Sequence, residues 1–144
     1  MNIYFCGSIR GGRDLAETYE KMIGLLGNYG KVLTEHLGSD EVIESKDRVL
    51  TDREIHDRDL QWIVESDLLV AEVTVPSLGV GYEIGRAIEM GKPVLCLFRS
   101  GNEYALSAMI AGSDRVEMKY YQSLEEVKDL FDAFFSVHAP HRTS

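Results

Sequence analysis

Leu68-Leu-Val-Ala-Glu-Val-Thr-Val-Pro-Ser-Leu-Gly-Val-Gly-Tyr-Glu83 is the stretch on which the fold turns. Leu68 to Val73 is a near-continuous, partly β-branched apolar run, the pattern of a strand covered on both faces and hence of a parallel sheet. Tyr82 to Met90 then reads as a helix ended by Gly91, which puts Glu83 in the first turn of a helix at a strand's carboxyl end. There the helix macrodipole favours a negative charge by about 0.3–1 kcal/mol, so Glu83 is expected to stay ionised near neutral pH. An ordinary first-turn glutamate without chemistry is the alternative.

On the amino-terminal side, Asn2 to Gly7 reads as a strand. Asp14 to Leu26 reads as an amphipathic helix with Leu15, Met22, Ile23 and Leu26 on its apolar face, closed by Gly27 and Gly30. Lys31 to Thr34 is a second strand, and the aperiodic polar stretch that follows reads as a mobile loop over 37–50, in the position of a lid. Thr51 to Ser66 is a helix opened by a capping box, Thr51 with Glu54 three residues on. Beyond Gly91, the strand Pro93 to Phe98, the short helix Tyr104 to Ala111, the edge-like strand Arg115 to Tyr120 and the helix Leu124 to Phe135 complete the alternation. The tail 137–144 is expected to be flexible, with His138 and His141 solvated, and Trp62 to be core.

Strands alternating with helices over short connections make an α/β, flavodoxin- or Rossmann-like sheet of five parallel strands, order 2-1-3-4-5, with helices on both faces. Residues 1–144 are expected to form one domain. In such a sheet ligands settle beyond the carboxyl ends of the first and third strands, where the order reverses. Two glycine-rich turns lie there. Gly7-Ser-Ile-Arg-Gly-Gly12 offers backbone amides, a hydroxyl and a guanidinium ahead of a helix, which suits a phosphate, although a plain tight turn with an exposed arginine would look the same. It lacks the Gly-Lys-Ser/Thr ending of a Walker loop. Gly79-Val-Gly-Tyr-Glu-Ile-Gly85 has its last glycine one residue too far for a dinucleotide fingerprint and follows the wrong strand, which sets NAD aside.

Fifteen basic against 24 acidic residues give a net charge of −9, a field that repels polyanions, so no nucleic-acid polymer is expected as a partner. Apolar content of 44% with 27% charged residues is that of a globular chain. No run approaches the roughly 18 apolar residues of a membrane span, and the chain opens directly on a strand pattern; no membrane association and a cytoplasmic or nuclear location are expected. Cys6 and Cys96, each inside a strand, are expected to be buried free thiols, and no metal site or cofactor is expected.

Asp59 lies four residues from both Ile55 and Ile63, on the apolar face of its helix, where its pKa would rise; an aspartate at the edge of that face, paired with an arginine, is the alternative. An ionised Glu83 and a protonated Asp59 would divide labour as the two carboxyls of a retaining glycosidase do. Beside a phosphate turn, such a pair suits a phosphorylated sugar carrying a nucleobase as leaving group.

Tyr4-Phe-Cys-Gly-Ser-Ile-Arg-Gly-Gly12, Thr34-Glu-His36, Ile55-His-x-x-Asp-Leu60, Ala71-Glu-Val-Thr-x-Pro-Ser-Leu-Gly-Val-Gly-Tyr-Glu83, Leu95-Cys-Leu-Phe-Arg99 and Leu106-Ser-Ala-Met-Ile110 closely resemble the 2′-deoxynucleoside 5′-monophosphate N-glycosidases of the nucleoside 2-deoxyribosyltransferase superfamily. The resemblance implies a homodimeric, cofactor-free hydrolase that releases nucleobase and 2-deoxyribose 5-phosphate from a deoxynucleoside 5′-monophosphate. It makes Glu83 the nucleophile, Asp59 the acid, and Tyr4 the support of the nucleophile that also crowds the sugar's second carbon. Ser8, Ile9, Arg10, Ser77 and Gly79 carry over as the phosphate and sugar shell, with Gly7, Gly11 and Met109 as further substrate-binding positions. Ser107 would reach the neighbouring subunit's site, and His36 would face the base unless it is only a half-buried loop histidine. The resemblance leaves two alternatives: a deoxyribosyltransferase, whose members tend to carry an acid where Ser77 stands, and a silent nucleotide sensor.

Overall fold

The computed structural model describes residues 1–9, 13–34 and 50–138. Among the described residues ten elements follow in order: β1 (Asn2–Gly7), α1 (Arg13–Leu26), β2 (Lys31–Val32), α2 (Asp52–Glu65), β3 (Leu68–Glu72), α3 (Leu78–Glu89), β4 (Val94–Arg99), α4 (Ala108–Ala111), β5 (Val116–Tyr121) and α5 (Leu124–His138). The sheet has the order β2-β1-β3-β4-β5 with every pair parallel, as the apolar runs predict. All five residues of β3 are buried, because helices cover both of its faces. Ile3, Phe5, Val70 and Leu97 pack with α1 and α5, while Tyr4, Cys6, Leu69, Ala71 and Cys96 pack with α2 and α3.

Most elements fall where the residue patterns put them, and the differences sit at the ends. The second strand is only Lys31–Val32. The short helix is the single turn Ala108–Ala111. The last helix continues to His138, whose ring lies 4.6 Å from that of Phe134, so residues 137 and 138 are helical. The capping box forms: the Glu54 N–H donates to Thr51 Oγ1 at 3.1 Å and the Thr51 N–H to Glu54 Oε1 at 3.3 Å. The 37–50 loop lies, apart from its last residue, outside the described residues.

The consequential difference is at α3. It begins at Leu78, four residues earlier than expected, because Ser77 serves as N-cap and its hydroxyl accepts the Val80 N–H at 3.3 Å. Gly79 and Gly81, which read as a loop by propensity, are absorbed into the helix once it is capped. Glu83 therefore sits in the second turn, where the favourable field of the helix N-terminus has faded.

Candidate active site

β1 alternates its side chains, so Tyr4 and Cys6 point to the same face of the sheet. α2 brings Ile55, Arg58 and Asp59 over that face, and α3 brings Ser77, Gly79, Val80 and Glu83. Together with Gly7, Ile9 and Thr34 these residues line one cavity of about 200 Å³ at the carboxyl ends of β1 and β3. Thr34 holds the adjacent strand by accepting the Phe5 N–H at 2.9 Å and donating to the Phe5 carbonyl at 2.6 Å. A second depression, about 210 Å³, opens on Asp59 and Glu83 between α2 and α3, where His56 Nε2 and the Tyr82 hydroxyl lie 2.9 Å apart.

Of the residues singled out by sequence, Tyr4, Gly7, Ile9, Asp59, Ser77, Gly79 and Glu83 meet in the first cavity. Ser8 is buried in the turn beside it. Ser107 and Met109 do not line it; they border a separate, largely apolar cavity of about 630 Å³ that also touches Ser77 and Leu78. Arg10, Gly11 and His36 lie outside the described residues. Sequence reasoning missed Cys6 and Arg58 as parts of the wall. The alternation on β1 that carries Tyr4 inward carries Cys6 with it, which was the available signal. Cys6 and Cys96 are buried free thiols, as expected.

The surroundings of the two acids differ from those that spacing suggests. Burial pushes the Glu83 pKa up to about 7 and the charge on Asp59 adds to the rise, against hydrogen bonding from Tyr4 and Cys6 and the positive charge of Arg58, which favour the anion. Its Oε2 is buried without a hydrogen-bond partner. Asp59 is not isolated among apolar groups. Its Oδ1 accepts from Arg58 Nε at 3.0 Å, and that guanidinium stacks 4.8 Å over the ring of Trp62. The arginine-paired alternative is thus the one realised, and Trp62 is a platform as well as a packing residue. Burial, then the Glu83 charge, pushes Tyr4 and Cys6 far above their ordinary values, so both stay protonated and donate to Glu83.

A turn at the end of β1, a tyrosine and a thiol on one carboxyl, and a second carboxyl lining the same small cavity are an arrangement suited to glycosyl transfer. The sequence model described as Nucleoside 2-deoxyribosyltransferase matches residues 3–133. The chain belongs to that family. It is 52% identical over 141 residues to the 5-hydroxymethyl-dUMP N-hydrolase of Tetraodon nigroviridis, covering 94% of this chain and 98% of the relative. It is 51% identical over 138 residues to the putative 2′-deoxynucleoside 5′-phosphate N-hydrolase 1 of Nematostella vectensis, 93% of each chain being covered. Its fold is similar to the solution structure of BlsM, with a TM-score of 0.74 at 23% identity over 99% of this chain and 97% of that one.

Among the described residues no helix is long and apolar enough to cross a membrane, and no group of three His, Cys, Asp or Glu residues is placed to hold a metal ion.

Proposed function

We propose that this chain hydrolyses the N-glycosidic bond of 2′-deoxynucleoside 5′-monophosphates, giving free nucleobase and 2-deoxyribose 5-phosphate. The observation that carries the reading is the convergence of Glu83, Asp59 and Tyr4 on one small cavity that Gly7, Ile9 and the N-cap Ser77 also line. The naming of relatives at 45–52% identity as N-hydrolases of such nucleotides supports it, and makes 5-hydroxymethyl-dUMP the first substrate to try.

In the reaction, an oxygen of ionised Glu83 attacks C1′ as the bond from C1′ to the base nitrogen breaks, and Asp59 gives its proton to the departing base. Asp59 then takes a proton from water; the resulting hydroxide attacks C1′, and the ester bond to Glu83 breaks, restoring both acids. The productive state has the proton on Asp59 and the charge on Glu83. Binding of substrate selects that arrangement. Tyr4 and Cys6 hold the nucleophile by donating to it, and Tyr4 fills the space a 2′-hydroxyl would need. Backbone amides of the Gly7–Gly12 turn, Arg10, and the amino-terminal end of α3 at Ser77 and Gly79 hold the phosphate. By the family resemblance, His36 is the residue assigned to the base. No metal or cofactor enters these steps.

The enzyme works as a homodimer in the cytoplasm or nucleus. Leu78 and Met109, 96% and 83% exposed on the rim of the apolar cavity, are surfaces that a second copy would cover, and this would carry Ser107 to the partner's phosphate. A deoxyribosyltransferase is the second reading, favoured by the description of the matching family. Ser77 argues against it, since an uncharged cap tolerates a phosphate where an acid would repel it. Chromatography of products from deoxynucleoside monophosphates, ribonucleotides and unphosphorylated nucleosides separates the two. Free base from the deoxy monophosphates alone is expected; base exchange on unphosphorylated nucleosides would transfer the assignment to the transferases.

A further inference from the structure

Among the charged residues that line the cavity of about 200 Å³, Arg58 has no part in the proposed reaction, and among the described residues it is the only cation there. Its polar neighbours on α2 do not line that cavity: His56 Nδ1 lies 2.9 Å from Asp57 Oδ1, and His56 Nε2 lies 2.9 Å from the Tyr82 hydroxyl. Arg58 and Asp59 are adjacent in the chain. Successive residues of a helix leave its axis about 100° apart and do not ordinarily face each other. The Arg58 stem nevertheless bends back, so that Nε donates to Asp59 Oδ1 at 3.0 Å. Side-chain exposures of 24% and 21% set these two apart from a solvent-screened surface pair.

The next turn of the helix holds the stem in that bend. Trp62, four residues on, offers the face of its ring, and the Arg58 guanidinium carbon lies 4.8 Å from the ring centre. Trp62 packs in turn against the buried cluster that contains Tyr4, Cys6, Ile63 and Ile84. The Asp59 carboxyl is therefore linked, through a planar cation, to the apolar core under the site. A guanidinium can stack on a ring and donate to a carboxylate at once, which an ammonium cannot do. The placement also matches what the proposed reaction demands. As the C1′–N bond breaks, its electron pair goes to the base nitrogen, which takes the Asp59 proton, and a negative charge develops on the Asp59 carboxyl. That charge develops beside a fixed cation.

We propose that Arg58, seated on Trp62, is a positioning residue for the acid step: it fixes the direction of the Asp59 carboxyl and stabilises the carboxylate that proton transfer to the departing base creates. In the second step the same cation holds that carboxylate in place as it takes a proton from water. The inference rests on the reading of Asp59 as the acid in N-glycosidic hydrolysis.

Arg58→Met keeps an apolar stem over the Trp62 ring and deletes the cation. Turnover of 2′-deoxyuridine 5′-monophosphates carrying a 5-fluoro, 5-hydroxymethyl or 5-methyl group, in falling order of leaving ability, is measured for the unaltered protein, Arg58→Met, Asp59→Asn and the double variant. The readout is the ratio of kcat for the best to that for the poorest leaving base within each protein. The effect of the Arg58 charge on Glu83 is common to all bases and cancels in that ratio, as does any fraction of a variant that fails to fold. We expect Arg58→Met to widen the ratio by ~3- to 10-fold, with KM within about twofold, and to leave it within about twofold when added to Asp59→Asn. Arg58→Lys, which keeps the charge without the planar fork, should recover part of the loss. A role in packing alone would lower kcat equally for all bases, and that result would overturn the proposal. So would a further widening in the double variant, or a raised KM with an unchanged ratio, since either would have Arg58 act on the substrate directly. If the unaltered protein releases no base from these nucleotides, the proposed reaction fails and the inference with it. If base is released and the ratio does not respond as expected, the inference alone fails.

Discussion

Replacing Glu83 by Gln should make the protein more stable as it makes it inactive, and the gain should depend on pH. The Glu83 pKa stands at about 7 against an ordinary 4.5, a difference worth about 1.4 kcal/mol per unit. The folded chain holds this proton more tightly than the unfolded chain. The contribution is therefore fully present below about pH 4.5 and is lost as the pH rises through about 7. Integrated over that window, the ionised carboxyl costs the fold about 3 kcal/mol at pH 8 and only about 0.8 kcal/mol at pH 5. Gln has the same shape and no charge to desolvate, but it loses the donation from Tyr4 and Cys6 that suits an anion. We expect Glu83→Gln to raise the Tm by about 5 °C at pH 8 and by about 1–2 °C at pH 5, with turnover reduced at least ~1000-fold if Glu83 is the nucleophile. Thermal unfolding of both proteins at the two pH values, beside turnover of a deoxynucleoside monophosphate, makes the comparison. A Tm gain that is the same at both pH values, or a loss at pH 8, would refute the argument that burial of Glu83 strains the fold.

Three further outcomes follow from the same site. In the unaltered enzyme the acid limb of kcat/KM should lie near pH 7; Tyr4→Phe removes a bond that favours the Glu83 anion and should move that limb up by about 0.5–1 pH unit, whereas an unmoved limb would separate Tyr4 from Glu83. Asp59→Asn should reduce turnover most for the poorest leaving bases, by at least ~10-fold more than for the best, and equal losses across bases would deny Asp59 the role of acid. If Ser107 serves the partner's site, mixing inactive Ser107→Ala and Glu83→Ala proteins should restore about a quarter of full activity, since half the dimers would then carry one intact site; no recovery after subunit exchange would show the site to be complete within one chain.

The sheet order was legible because a strand covered on both faces shows as an apolar run, and the runs at Asn2, Leu68 and Pro93 are separated by helical periods. The capping box at Thr51 was legible for the same local reason. The start of α3 was not. Gly79 and Gly81 argue against a helix by propensity, and only the Ser77 cap together with the burial of Val80 and Ile84 against the sheet overrides them. At the site, the motif residues from β1, α2 and α3 do line one cavity, but Cys6 passed as a core thiol and the arginine beside Asp59 only as its ion-pair partner. That both also line the cavity with Glu83 follows from the packing of α2 and α3 against β1.

The sequence by itself determined the parallel sheet, the two glycine-rich turns at its switch point, and the family, because all three are written in short-range patterns of residue type. Only the tertiary structure decided the electrostatics of the nucleophile candidate: burial and the charge of Asp59 push the Glu83 pKa up, against Tyr4, Cys6 and Arg58. That balance depends on desolvation and on distances of a few ångströms between groups on β1, α2 and α3, far apart in the chain, and residue spacing carries no record of it.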